Sequence, residues 1–481
     1  MNKQIRRVAV SMVVMFLALA ANLSYLQVVG ADSITERAGN KRNLLREYSR
    51  ERGHIVVADQ AIAASVKTAD VIAYLRQYSG GPEYAAVTGF YSYIYGATGI
   101  ERAANTVLAG SDDSLLLDRI TQLLAGRKPR GGAVVLTINP DAQAAAWEGL
   151  KGRTGAVVAL EPHTGRILAL VSSPSFDPNL LTVHNANAVQ AYYRQQMRDP
   201  AQPMLNRPLV RSYPPGSTFK LVTAAAALEA GLVTPDAQVE APATFQLPGS
   251  TKKLRNWQKG KCAGSDTITL AQALAVSCNT SFAILGDEVG ADALRRQARN
   301  FGFDSNFQVP MISATSRFPA NPDRAQTSLS AIGQFDVQAT ALQMAVVAAA
   351  IADGGMVMNP YLIDRVLAPD LTVLRQTTPT VRNRAVKVET ATALTDMMEQ
   401  VVSRGTGGNA RITGIAVAGK TGTAQTAQGS KPHAWFIGFA PVKNPQVAVA
   451  VVIENGGGSA EVSGNKLAAP IAREVMKAVL K

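Results

Sequence analysis

The chain has 481 residues, 47% apolar and 17% charged, with a net charge of +13. That size and balance describe globular protein of two or three domains and exclude a disordered or fibrous chain. The positive charge suits an anionic membrane surface or acidic wall polymers, and equally plain solubility. No nucleic-acid recognition motif accompanies it, so nucleic acid is not an expected partner.

Lys3, Arg6 and Arg7 precede an apolar stretch from Val8 to about Val29, interrupted only by Ser11, Asn22, Ser24 and Gln27. A helix of that length reaches about 33 Å, enough to cross a bilayer core. Positive charge before it predicts a cytoplasmic start and an extracytoplasmic remainder. Ala18-Leu19-Ala20 resembles a signal-peptide cleavage site, but the apolar run continues through Leu23, Tyr25 and Leu26. An uncleaved anchor over residues 1–30 is therefore expected, with the catalytic part outside the cytoplasm.

Residues 31–150 form a mixed, partly polar unit. Its charged run from Arg42 to Arg52 reads as a solvated helix face. Arg52-Gly53-His54-Ile55 then turns into a strand, and Gly80-Gly81-Pro82 and Gly110 read as loops. Lys128-Pro129-Arg130-Gly131-Gly132 marks a linker, followed by a strand over 133–138 and a helix over 141–150.

A second unit runs from Lys151 to the C-terminus. Residues 155–160 and 166–171 flank Pro162-His163-Thr164-Gly165 in a hairpin pattern. Ala- and Leu-rich helical segments dominate from Ser217 to about Asp353, and strands return over 415–419 into Lys420, 433–440 and 447–454. A last amphipathic helix covers about 468–480. Strands at both ends with helices between them predict an α+β fold, an antiparallel sheet with an inserted helical lobe.

Three short motifs lie along this second unit. Ser217-Thr218-Phe219-Lys220 follows Pro214-Pro215-Gly216, so Ser217 opens a helix, where free N–H groups favour developing negative charge. Lys220, one turn on, can reach the hydroxyl and serve as base if its amine is neutral. Burial or a neighbouring cation must supply that shift, and Lys420 is the natural cation. Ser277-Cys278-Asn279 offers a hydroxyl and an amide within an apparent helix over 271–284. Lys420-Thr421-Gly422-Thr423 offers a cation and two hydroxyls suited to a carboxylate, on a strand edge where Gly422 admits a substrate backbone.

Taken singly these motifs are weak, since roughly one or two S-x-x-K matches are expected by chance in a chain this long. Ser250-Thr251-Lys252-Lys253 is such a decoy, and Ser463-Gly464-Asn465 is a second S-x-N. Order and spacing select the set: S-x-x-K, S-D-N and K-T-G together are the signature of penicillin-binding proteins and class A β-lactamases, and this chain departs from it with Cys278 where the second motif has Asp. The two cysteines, Cys262 and Cys278, either pair in an oxidising compartment or stay as two buried thiols. The four histidines form no ligand pattern, so no metal and no cofactor is expected.

On these motifs the chain resembles the monofunctional, class B penicillin-binding proteins, in particular the actinobacterial A group. Arg52-Gly53-His54-Ile55 and the Gly96 to Gly110 segment resemble that family's pedestal motifs, and 176–179 and 433–436 resemble flanks of its transpeptidase domain. The resemblance implies a non-catalytic pedestal over 31–150 and a transpeptidase domain over 151–481. It also implies roles. Ser217 would be acylated by a D-Ala-D-Ala stem peptide with Lys220 as base. Ser277 would relay a proton to the leaving group and Lys420 would tune that relay. Asn279 would hold the substrate amide, Thr421 and Thr423 the terminal carboxylate, and the N–H groups of Ser217 and Thr423 would form the oxyanion hole. β-Lactams would acylate the same serine, and a polytopic membrane glycosyltransferase would be a partner.

A β-lactamase on the same fold is the nearest rival. The carboxylate that activates the deacylating water in class A enzymes is missing where expected, since no Asp or Glu lies between Asp304 and Asp323. A bifunctional enzyme needs a glycosyltransferase domain that about 120 residues cannot hold.

Overall fold

The computed structural model describes residues 2–28, 48–70, 72–116, 121–122, 124, 126, 130–257, 260–425, 430–458 and 462–481. The first of these stretches is one α-helix, Asn2–Val28, whose residues 3–26 are long and apolar enough to cross a membrane and are not buried by any of the described residues. Most of the charged run at 42–52 lies outside the described residues.

The strands Gly155–Leu160, Ile167–Ser173, Ala418–Ala424, His433–Ala440 and Val447–Ile453 form a fully antiparallel sheet. Its spatial order is 418–424, 433–440, 447–453, 155–160, 167–173, which leaves the Lys420 strand on an edge. Alternation splits the sheet's side chains between two cores. Trp435, Ile437 and Phe439 face the helical lobe, including the buried helix Ala341–Ala352. Ala434, Phe436 and the odd-numbered valines of 447–453 face helices Pro140–Leu150 and Ala469–Val479. Burying both faces explains why these strands read as continuous apolar runs. The expected α+β architecture is present.

The N-terminal unit departs from its reading in three places. Arg52, at the end of the charged run, is not on a solvated face: it is 3% exposed. Its guanidinium and that of Arg76 grip the buried carboxylate of Glu101 at 2.5 and 2.6 Å. A carboxylate with two cations and the Tyr78 hydroxyl at 3.1 Å stays ionised despite burial, and its pKa is lowered. The segment at Gly80 is not a loop but the start of helix Gly81–Thr88, because Pro82 tolerates the first helical turn. Gly131 and Gly132, read as linker, are a tight crossing: a Cβ on Gly131 would lie 1.8 Å from Leu108 O, and one on Gly53 would lie 1.8 Å from Gly132 O.

A six-stranded sheet frames this unit, in the order Val373–Gln376, Ile363–Leu367, Ala133–Leu136, Ile55–Val57, Gln60–Lys67, Tyr74–Tyr78. Two of its strands come from far beyond the expected boundary at Lys151, and Ile363–Leu367 pairs directly with Ala133–Leu136.

Candidate active site

Gly216 makes the turn that presents Ser217. Its φ of +54° is open to glycine at little cost, and a Cβ there would press on Ala424 Cβ and Thr423 O, both at 3.0 Å. The turn is pinned on both sides. Gly216 N donates to Gly333 O at 2.9 Å, and Trp435 Nε1 donates to Pro214 O at 3.0 Å. A short 3₁₀ turn, Gly216–Phe219, then leads into helix Lys220–Glu229, so Ser217 does stand at a helix start, half-buried.

Ser277 was expected inside one helix over 271–284, and here the structure differs. Helix Leu270–Ala275 ends, Ser277 takes a left-handed φ of +59°, and a new helix runs Asn279–Val289. A serine in that conformation is strained, and strain of this kind gathers where a side chain must be aimed. Apolar spacing continues across the break, which is why periodicity alone could not show it.

Asn256 holds this break in place, and sequence reasoning missed it. Its Oδ1 accepts from Asn279 N at 3.0 Å and Thr280 N at 3.1 Å, capping the second helix. Its Nδ2 donates to Pro242 O and Gly260 O, each at 3.0 Å. A lone Asn between Arg255 and Trp257 carries no pattern that would single it out. The disulfide Cys262–Cys278 ties the same loop to the motif, Cα to Cα 5.8 Å apart, which settles the pairing left open by the sequence. Thiol titration should find no free thiol before reduction and two after it. The bridge spans 16 residues. Replacing both cysteines by serine should lower the unfolding free energy by about 3 kcal/mol, the chain-entropy value for a loop of this size. An unchanged urea midpoint would show that the link constrains nothing.

The third motif sits on the edge strand Ala418–Ala424. Strand alternation places Lys420 and Gly422 on one face and Thr421 and Thr423 on the other. Gly422 has a packing reason of its own. Its missing Cβ would meet Trp435 Cβ at 2.9 Å, Thr218 Cγ2 at 3.0 Å and Pro215 O at 3.1 Å. The space it leaves is filled by the Ser217 turn, so Gly422 seats the nucleophile's loop against the sheet.

Both lysines are fully buried and meet at Ser277. Lys420 Nζ donates to Ser277 Oγ at 2.8 Å and to Thr421 O at 2.9 Å. Lys220 Nζ lies 2.7 Å from Ser277 O, 2.8 Å from Asn279 Oδ1 and 3.3 Å from Ser277 Oγ. Among the described residues no hydrogen bond joins Lys220 Nζ to Ser217 Oγ, though one helical turn separates them. Such contacts commonly tighten only once substrate is bound.

Burial, and after it the Lys420 cation, hold the Lys220 amine well below the usual lysine range. Burial alone brings Lys420 down to about 7. The expected cation effect is thus present but second to desolvation. A neutral Lys220 amine has two N–H donors, matching its two short bonds, and one lone pair to spare. With Lys420 donating to Ser277 Oγ, the hydroxyl proton of Ser277 is left free for another acceptor.

The decoys are structural. Ser250 sits in the turn joining Thr244–Gln246 to Lys253–Arg255, where its Oγ accepts from Lys252 N at 3.1 Å. Ser463 caps a short helix by accepting from Lys466 N at 3.2 Å, and a Cβ on Gly464 would meet Trp435 O at 2.1 Å.

Residues 155–477 match the family described as the penicillin binding protein transpeptidase domain, and residues 52–134 match the penicillin binding protein A dimerisation domain. The peptidoglycan D,D-transpeptidase PbpA of Mycolicibacterium smegmatis is 44% identical, aligned over 100% of this chain and 99% of its own. Its namesake in Mycobacterium tuberculosis is 45% identical over the same shares. The structure of penicillin-binding protein A from M. tuberculosis as a ceftriaxone acyl-enzyme superposes with a TM-score of 0.88 at 45% identity, covering 91% of this chain and 100% of that one. The penicillin G acyl-enzyme of that protein gives 0.86 at 44% identity, with coverages of 90% and 100%. With its transpeptidase domain matched over 155–477 and relatives aligned along its whole length, this chain belongs to the penicillin-binding protein transpeptidase family.

Proposed function

We propose that this chain is a peptidoglycan D,D-transpeptidase that works through an acyl-enzyme on Ser217 and is trapped by β-lactams at the same residue. The observation that carries this is Ser277 Oγ, which receives Lys420 at 2.8 Å and lies 3.3 Å from Lys220, so that the three motifs converge on one cleft. Lys220 takes the Ser217 proton as the hydroxyl attacks the D-Ala-D-Ala carbonyl. Ser277 passes a proton to the departing D-Ala amine, with Lys420 steadying the charge. Asn279 binds the substrate amide, and Thr421 and Thr423 bind the terminal carboxylate. The N–H groups of Ser217 and Thr423 stabilise the oxyanion, worth about 3–4 kcal/mol per donor in a comparable site. A second stem peptide's amine then attacks the ester and forms the cross-link.

Residues 1–30 anchor the chain and hold the catalytic part outside the cytoplasm, which the basic residues before the apolar helix support. Residues 31–150 act as the pedestal, its sheet completed by Ile363–Leu367 and Val373–Gln376, and the rest of 151–481 acts as the catalytic domain, beside a polytopic membrane glycosyltransferase. The reading is tested by deacylation. Penicillin bound to the purified protein should stay attached for many minutes. Release within seconds, followed by repeated turnover, would assign a β-lactamase instead.

A further inference from the structure

Thr406 lies outside every motif, yet it touches two of them. It belongs to the loop that follows helix Val388–Ser403. Its backbone N–H donates to Ala275 O at 3.0 Å, the last residue of the helix that leads to Ser277. Its hydroxyl lies 2.8 Å from the hydroxyl of Thr421. The loop has no freedom to sit elsewhere: a Cβ on Gly405 would fall 2.3 Å from Ala275 O, and Gly407 N donates to Val401 O at 2.8 Å.

We infer that Thr406 is a positioning residue that turns the Thr421 hydroxyl proton toward the substrate's terminal carboxylate. This rests on the reading of Thr421 as a carboxylate ligand. A pair of hydroxyls shares one hydrogen bond in either of two directions. If Thr421 donates to Thr406, only its oxygen lone pairs face an arriving anion, and they repel it. If Thr406 donates, Thr421 keeps its proton for the carboxylate, and accepting one bond strengthens the one it gives. Among the described residues neither hydroxyl has another hydrogen-bond partner, so the choice of direction rests with this pair. Thr406 is also held by backbone, so its oxygen stays where Thr421 needs it.

The test uses the full chain and two probes: an N-acyl-D-Ala-D-lactate depsipeptide with a free terminal carboxylate, and the same compound as its primary carboxamide. Thr406→Val should lower the carboxylate-to-carboxamide ratio of kcat/KM about five- to tenfold, on the scale of a weakened bond to a charged group. The loss should fall on KM, and Thr406→Ser should restore the ratio. The double variant with Thr421→Val should be no worse than Thr421→Val alone. Equal loss on both probes, or losses that multiply in the double variant, would show a merely structural role and overturn the inference. A ratio unchanged in Thr421→Val would instead refute the reading of Thr421 itself. Should Thr406→Val fail to fold, judged by thermal melting, Thr406→Ala gives the same readout.

Discussion

Ser217→Ala should abolish labelling by fluorescent penicillin, while Ser250→Ala labels like the wild type. The expected loss is large, on the order of 10⁶-fold, the scale a serine nucleophile carries in a protease. The contrast between the two serines follows from their surroundings. Ser217 is presented by a glycine turn wedged between the Lys420 strand and Gly333, and it opens the helix that carries the buried Lys220. Ser250 lies in a hairpin turn whose following Thr251, Lys252 and Lys253 are exposed, so both lysine amines after it stay in solvent. Both serines open an S-x-x-K string, and only the fold separates them. Labelling that survives in Ser217→Ala would remove the site assignment altogether.

The second large effect concerns the lysine pair. Acylation should rise with pH along a limb set by Lys220, because the amine is a base only after it loses its proton. That limb should lie well below the ordinary lysine range, since burial and then the Lys420 cation lower the Lys220 pKa. The two amines titrate as a pair, and Lys420 contributes its charge below about 7. Lys420→Met removes that charge. The Lys220 pKa then rises, and the limb moves to higher pH. The rate at neutral pH should fall by about 10²–10⁴-fold, the range of a lost general acid–base partner. Lys420→Arg, which keeps the charge, should leave the limb lower than Lys420→Met does. A limb that stays in place in Lys420→Met would mean that desolvation alone sets the base.

Much of this site was legible in the sequence because its chemistry is local. Ser217 and Lys220 are one helical turn apart, and Pro214-Pro215-Gly216 announces the helix start. The strand runs of 433–440 and 447–453 were plain, since strands buried on both faces leave long apolar stretches. What stayed hidden depends on contacts distant in the chain. The break at Ser277 is held by Asn256, 23 residues before Asn279, and no periodicity records it. The packing reason for Gly422 needs the turn at Pro215 and Thr218 to be laid against it. Arg52 looked like one more solvated charge because its partner Glu101 lies 49 residues on. Cys262 and Cys278 gave two equal readings until their loop was folded back on the motif.

The sheet of the N-terminal unit carries one more consequence, for the order of assembly. Ala133–Leu136 is flanked on one side by Ile55–Val57 and on the other by Ile363–Leu367, with Val373–Gln376 beyond. As the chain emerges from its N-terminus, the first four strands are complete long before the last two exist. Until residue 367 is free, one side of Ala133–Leu136 presents unpaired N–H and C=O groups, a template for any passing strand. The unit that emerges first is therefore finished late, and more than three-quarters of the chain must be made before its sheet can close. Protection of that half-built edge during biogenesis is a requirement written into the topology.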